Sequence, residues 1–161
     1  MKAGIIIIFH NNENDMDTTY FIEQIQQTPK LELCLVNNDS KDATYDMLKE
    51  VKEECSNVSV VNVRKFKSDI AAVKAGARFM YNEFDLKHLS YVSVNLLNLK
   101  EHGLNGLIEL ITENQNAILN YKIKTLNKRP TLFQSIFSLL DYLKKIIEDN
   151  HFVNLQFQKQ L

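Results

Sequence analysis

Leu33-Cys34-Leu35-Val36-Asn37-Asn38-Asp39-Ser40-Lys41-Asp42-Ala43-Thr44 contains the sharpest change of character in the chain. Four apolar residues stop at three amide and acid side chains. A second turn signal follows at Lys41-Asp42, and a helical pattern begins after it. The stretch predicts a buried strand whose C-terminal end opens into a polar loop leading to a helix, with Ser40 or Asp42 as its cap. In open α/β sheets, ligands gather at that edge because strand ends and helix N-termini converge there.

The same alternation extends to both sides. Ile5-Ile6-Ile7-Ile8-Phe9 is a continuous run suited to a strand buried on both faces, ending at His10-Asn11-Asn12. Asp15 or Asp17 can cap a helix to about Gln27, stopped by Pro29. The strand Leu31–Val36 comes next, then a helix to about Cys55 carrying Leu48 and Val51 on its inner stripe. Val58, Val60, Val61 and Val63 make a third strand. Arg64-Lys65-Phe66-Lys67 forms a basic loop after it, and Ser68 or Asp69 caps a helix with Ile70, Val73, Ala77 and Met80 on one face. Leu89–Val94 is a fourth strand, ending at Asn95-Leu96-Leu97. This βαβαβαβ order predicts an α/β fold, a single mainly parallel sheet with helices on both faces. His10, Asn37, Arg64 and Asn95 then share one edge of the sheet.

Beyond residue 98 the pattern is less regular. Leu104, Leu107, Ile108 and Ile111 predict a helix over about 100–112, and Ala117–Ile123 a fifth strand. Asn127–Pro130 reads as a turn. Thr131 and Gln134 have capping-box spacing ahead of a long amphipathic helix to about Asp149, carrying Phe133, Ile136, Phe137, Leu140, Leu143 and Ile147. That stripe suits a core, or the cover of a partner subunit. The tail alternates at Val153, Leu155 and Phe157 and fits an edge strand. One domain over 1–161 is expected, with 1–98 as a nucleotide-binding-type half and 99–161 as a short C-terminal part.

Composition narrows the function. Hydrophobic content of 45% and charged content of 24% are ordinary for a globular domain, and a net charge of -1 gives no field favouring nucleic acid or an anionic membrane. Ile5–Phe9 is too short for a signal-peptide core, and no window approaches a transmembrane span. Cys34 and Cys55 have no metal spacing and are expected as reduced thiols in a cytoplasmic protein. His88, His102 and His151 lack metal spacing and are expected to be structural.

Taken together, the first hundred or so residues resemble the nucleotide-binding half of family 2 glycosyltransferases, of the GT-A type. The family's first strand ends in Tyr-Asn or a similar pair, here His10-Asn11. Its second ends in Asp-Asp-Gly-Ser-x-Asp-x-Thr, here Asn37-Asn38-Asp39-Ser40-Lys41-Asp42-Ala43-Thr44. Its Asn-x-Gly-x-x-x-Ala-x-Asn-x-Gly segment matches Phe66–Gly76, keeping Ala72 and Gly76 but losing both Asn and the first Gly. The resemblance implies a nucleotide or nucleotide sugar as ligand, held by His10, Asn11, Asn37, Asn38, Asp39 and Lys67. Asn side chains can still make the base contacts that an acidic residue makes in the family. Where the family has the metal-binding Asp-x-Asp, this chain has Asn95-Leu96-Leu97. Mg²⁺ and Mn²⁺ want hard, charged oxygen ligands, so no metal cofactor is expected and transfer should be weak or lost. No catalytic residue is assigned.

Each of these residues also has a plainer reading. Asn37–Asp39 make a good turn, Ser40 and Asp42 good caps, and the basic loop Arg64-Lys65-Phe66-Lys67 is read as a solvated surface in preference to a phosphate contact. His10 suits a pocket-lining ring better than a general base. The competing accounts are therefore a non-catalytic module for a nucleotide, glycan or protein, or an unrelated doubly wound domain. A homodimer is compatible with the apolar helix and the alternating tail.

Overall fold

The computed structural model describes residues 1–97, 103–121 and 135–148. Among these residues, five strands form one parallel sheet in the order β3-β2-β1-β4-β5. They are β1 (Lys2–Phe9), β2 (Leu31–Asn38), β3 (Val58–Val63), β4 (Leu86–Ser93) and β5 (Ile136–Ser138). The helices are α1 (Thr18–Ile25), α2 (Thr44–Glu54), α3 (Asp69–Glu83), α4 (Gly103–Glu113) and α5 (Gln115–Leu119), with a sixth, α6, over 139–148. The α/β class, the parallel sheet and the strand order all follow the βαβαβαβ pattern.

β1 is the central strand, and its composition explains why. Ile5, Ile6, Ile7 and Ile8 are all at most 1% exposed. Alternate side chains feed opposite faces of a strand, so a two-sided apolar run can be buried only between two layers of helix. Ile5, Ile7 and Phe9 meet Phe21 and Ile25 of α1, Leu48 and Val51 of α2, and Leu104, Leu107 and Ile108 of α4 in one core cluster. Ile6 and Ile8 meet Ala72, Val73, Ala77 and Met80 of α3 in the other. Each fully buried Ile contributes roughly 1.5–3 kcal/mol by transfer from water.

α3 is the one described helix with residues in that second cluster, and Gly76 lets it approach. A Cβ on Gly76 would stand 3.0 Å from Val36 Cγ2 and 3.1 Å from Ile6 Cγ2.

Four local expectations are corrected. The N-cap position of α2 is Ala43, which has no side-chain cap. Asp42 serves from one residue earlier, accepting the Thr44 N–H at 3.0 Å, while Ser40 accepts from the Asn11 N–H at 3.0 Å. Ile70 is 71% exposed, because α3 buries Ala72, Val73, Gly76, Ala77 and Met80 instead. Residues 115–119 are helical where a fifth strand is expected. The fifth strand is instead Ile136–Ser138, inside the expected long helix, which is helical only over 139–148 among the described residues.

Packing decides that last case. Ile136, Phe137 and Ser138 pair with Leu89, Ser90 and Tyr91 of β4. Phe137 also stacks on Tyr121 with centroids 3.8 Å apart, flanked by His88 and Tyr142. His88 donates from Nε2 to the Ile118 carbonyl, and burial holds its pKa below the ordinary value. The expected turn at 127–130, the cap at Thr131 and Gln134, the tail strand, His102 and His151 lie outside the described residues.

Gly76→Val forces side-chain atoms into the α3–sheet contact and should destabilise the fold by about 1–3 kcal/mol in denaturant unfolding. Lys74→Ala, two residues away on the same helix, serves as the comparison and should cost less.

Candidate functional site

The C-terminal edge of the sheet collects four loops, and amide side chains hold them together. β1 and β2 both leave the sheet through a left-handed residue, Asn11 (φ 53°) and Asp39 (φ 52°). Asn and Asp tolerate that conformation better than other residues with a Cβ. Each bend turns a polar run toward its neighbours.

Asn38 is the first clamp. It is 1% exposed at the end of β2. Its Nδ2 donates to the Lys67 carbonyl at 2.8 Å and its Oδ1 accepts from the Lys67 N–H at 3.1 Å. One carboxamide thus satisfies both backbone groups of Lys67 and pins the β3–α3 loop to β2. Asp39 adds a second hold, accepting the Phe66 N–H at 3.2 Å. Ser68 then caps α3 by accepting from Ala71.

His10 joins β1 to this clamp. Its Nδ1 lies 2.6 Å from the Asn38 carbonyl oxygen, which can only accept, so Nδ1 carries the proton. Lys41 donates its backbone N–H to Asn11 Oδ1 at 2.8 Å, which fixes the Asn11 amide with Nδ2 toward His10 Nε2 at 3.2 Å. The ring is therefore a neutral Nδ1–H tautomer whose other nitrogen is already an acceptor. A general-base role would have to break that bond. The exposed Phe66 ring lies 4.7 Å from the His10 ring, centroid to centroid, at a tilt of 56°. Phe66 is 57% exposed.

Asn12 is the second clamp, and sequence reasoning passed over it. It is 1% exposed. Its Oδ1 accepts from the His10 N–H at 2.7 Å, and its Nδ2 donates to Asp15 Oδ2 at 3.0 Å and Asn95 Oδ1 at 3.2 Å. Its N–H donates to Thr44 Oγ1 at 2.8 Å, tying β1 to the start of α2. One signal was available: the Asn11-Asn12 doublet after β1 echoes the Asn37-Asn38 doublet that ends β2.

The predicted residues therefore divide. His10, Asn11, Asn38, Asp39 and the Lys67 backbone form one network. Asn37 does not join it, since neighbouring strand residues face opposite sides. It is 3% exposed, its Nδ2 donates to Asn62 Oδ1 at 2.9 Å, and its Oδ1 is buried without a partner among the described residues. Asn95 reaches the edge through Asn12, while Leu97 packs against the larger core cluster. Among the described residues, no three His, Cys, Asp or Glu side chains are grouped so as to hold a metal ion. Beside the edge, α3, β4 and β5 border an apolar groove of about 360 Å³ lined by Ile70, Val73, Tyr91, Leu96 and Ile136, with Asp69 and Lys74.

Two carboxylates are held ionised. The hydrogen bond from Lys41 Nζ (2.9 Å), with its charge and the Phe66 N–H, outweighs desolvation and keeps Asp39 below the ordinary carboxyl value. For Asp42, desolvation opposes ionisation, but hydrogen bonds from Thr44 and the Glu13 N–H outweigh it.

The family model described as glycosyl transferase family 2 matches residues 4–92, more than half of the chain. The chain belongs to this family. The alternative of an unrelated doubly wound domain is thereby overturned. Among solved structures, S. aureus TarS 1-349 aligns at 15% identity and a TM-score of 0.47, covering 71% of this chain and 33% of that one. The same fragment in complex with UDP-GlcNAc gives 15% identity, a TM-score of 0.45, and 71% and 32% coverage. Mannosyltransferase PcManGT from Pyrobaculum calidifontis, in complex with GDP-Man and Mn2+, gives 16% identity, a TM-score of 0.39, and 49% and 24% coverage. This glycosyltransferase-family chain spans a third or less of the length of each. No curated protein sequence matches it. No helix among the described residues is long and apolar enough to cross a membrane.

A carboxyl group whose folded pKa lies below its unfolded value stabilises the fold above the unfolded pKa, and that contribution is lost as pH falls through the folded one. Asp42 and Asp39 therefore add to an acid-side loss of stability below about pH 4. Asp42→Asn should flatten that limb in denaturant unfolding repeated across acidic pH, while leaving the neutral-pH slope of unfolding against denaturant unchanged.

Proposed function

We propose that this family 2 glycosyltransferase domain binds a nucleotide or nucleotide sugar at the amide-clamped edge without a divalent cation, and that glycosyl transfer by it is weak or lost. The observation that carries the reading is the exposed Phe66 ring held 4.7 Å from the His10 ring at the preassembled strand-end edge, where the family contacts the base. Asn37, Asn38, Asp39, His10 and Asn11 supply hydrogen-bonding groups of the edge. The exposed faces of His10 and Phe66 suit stacking on a planar base, and the Lys67 side chain suits a phosphate.

The residues at the fourth strand end do not fit the family's metal. Asn95 offers one neutral oxygen that already accepts from Asn12, and Leu97 packs into the core. Hard divalent cations favour charged oxygen ligands in near-octahedral sets. Without that charge, a diphosphate leaving group relies on the basic loop alone, and the largest electrostatic contribution to such catalysis is missing. His10 Nε2, already an acceptor, supplies no ready base. The free, buried thiols Cys34 and Cys55 suit a reducing compartment, and we place the domain in the cytoplasm on that ground.

Nitrogen–proton NMR titration with UDP, GDP and CDP in the presence of EDTA tests this. Saturable shifts at His10, Asn11, Asn37–Asp39 and Lys67 are expected with at least one nucleotide, and Phe66→Ala should weaken that binding roughly fivefold or more. Shifts that need Mn²⁺ would overturn metal-independent binding. No saturable shift with any nucleotide would overturn the ligand class.

A further inference from the structure

Among the described residues β3 is an edge strand, and its sequence has none of the usual edge protection. Its sequence, Val58-Ser59-Val60-Val61-Asn62-Val63, carries no charge and no proline. Natural edge strands are commonly blunted by charges, prolines or bulges, or kept very short, as β5 is here. Among the described residues β3 pairs with β2 alone.

The free backbone groups can be named. In a parallel pair, alternate residues direct both N–H and C=O to the same neighbour. Leu33 donates to the Asn57 carbonyl and Asp39 to the Val63 carbonyl, each at 2.9 Å, so the odd-numbered residues of β3 face β2. Val58, Val60 and Asn62 therefore turn their backbone groups outward. The Val58 N–H is met by the Cys55 carbonyl at 3.3 Å. The N–H of Val60 and Asn62 and the carbonyls of Val58, Val60 and Asn62 have no partner among the described residues.

We propose that this edge pairs with β3 of a second copy of the chain, antiparallel about a dyad at Val60, joining the two sheets into one. Val60 then exchanges both hydrogen bonds with the partner's Val60, and Val58 lies opposite the partner's Asn62. Charge selects this arrangement. Glu53 and Glu54 precede the strand, Arg64 and Lys65 follow it, and all four are exposed without an ion-pair partner among the described residues. An antiparallel dyad sets the acidic end of each copy against the basic end of the other, at both ends of the pairing. A parallel arrangement would set like charges together.

Sedimentation of the full chain over a dilution series tests the proposal. The chain should run as a dimer at the upper end and dissociate on dilution and on addition of salt. Val60→Pro removes an outward N–H that β2 does not use, and should give a monomer with unchanged circular dichroism. Two surface variants keep the test independent of that substitution. Glu53→Lys with Glu54→Lys, and Arg64→Glu with Lys65→Glu, should each be monomeric alone and should form a dimer when mixed in equal amounts. A wild-type chain that is monomeric throughout, a dimer that survives Val60→Pro, or a mixture that stays monomeric would overturn the proposal.

Discussion

One carboxamide, that of Asn38, closes two hydrogen bonds on the backbone of Lys67, and the polar edge of the sheet depends on that closure. A parallel sheet ends with several loops that must each satisfy their own backbone groups away from the ladder. Here Asn38 and Asn12 do this from buried positions, each using both ends of its amide. His10 connects them, donating its backbone N–H to Asn12 Oδ1 and its ring proton to the Asn38 carbonyl. The edge is consequently ordered by the protein itself, from β1 through β2 to the start of α3.

That construction constrains chemistry. Amides donate and accept at fixed angles but carry no charge. They suit recognition of a neutral base edge and do little to offset the charge of a departing diphosphate. Carboxylates at this edge are already engaged: Asp39 by Lys41 and Phe66, Asp15 by Asn12, Asp42 by Thr44 and Glu13. In our reading the family's fold has been retained with its recognition surface and without its electrostatic engine.

Much of this was legible from the residues alone. The isoleucine run could only be a strand buried on both faces, and the abrupt Asn-Asn-Asp stop located the edge. What escaped was whatever depends on long-range packing. Phe133, Ile136, Phe137 and Leu140 fall at helical spacing, yet Ile136–Ser138 form β5, because β4 offers a free edge and Tyr121 a ring face. Asn37 and Asn38 look equivalent in sequence, but strand alternation sends them to opposite faces. Leu97 looked like part of the strand-end motif, whereas the turn at Val94–Leu96 returns it to the core. Asn12 was passed over despite the repeated Asn-Asn doublet, because a buried bridging amide and an ordinary turn asparagine look alike in local sequence.

The most direct test of the preassembled edge is the protonation pattern of His10, read from long-range nitrogen–proton NMR correlations of the ligand-free protein in mildly alkaline solution. The network predicts a neutral ring with its proton on Nδ1 and a bare, hydrogen-bonded Nε2. A ring protonated on Nε2, or one averaging freely between the two tautomers, would contradict it, since neither can donate steadily to the Asn38 carbonyl while accepting from Asn11.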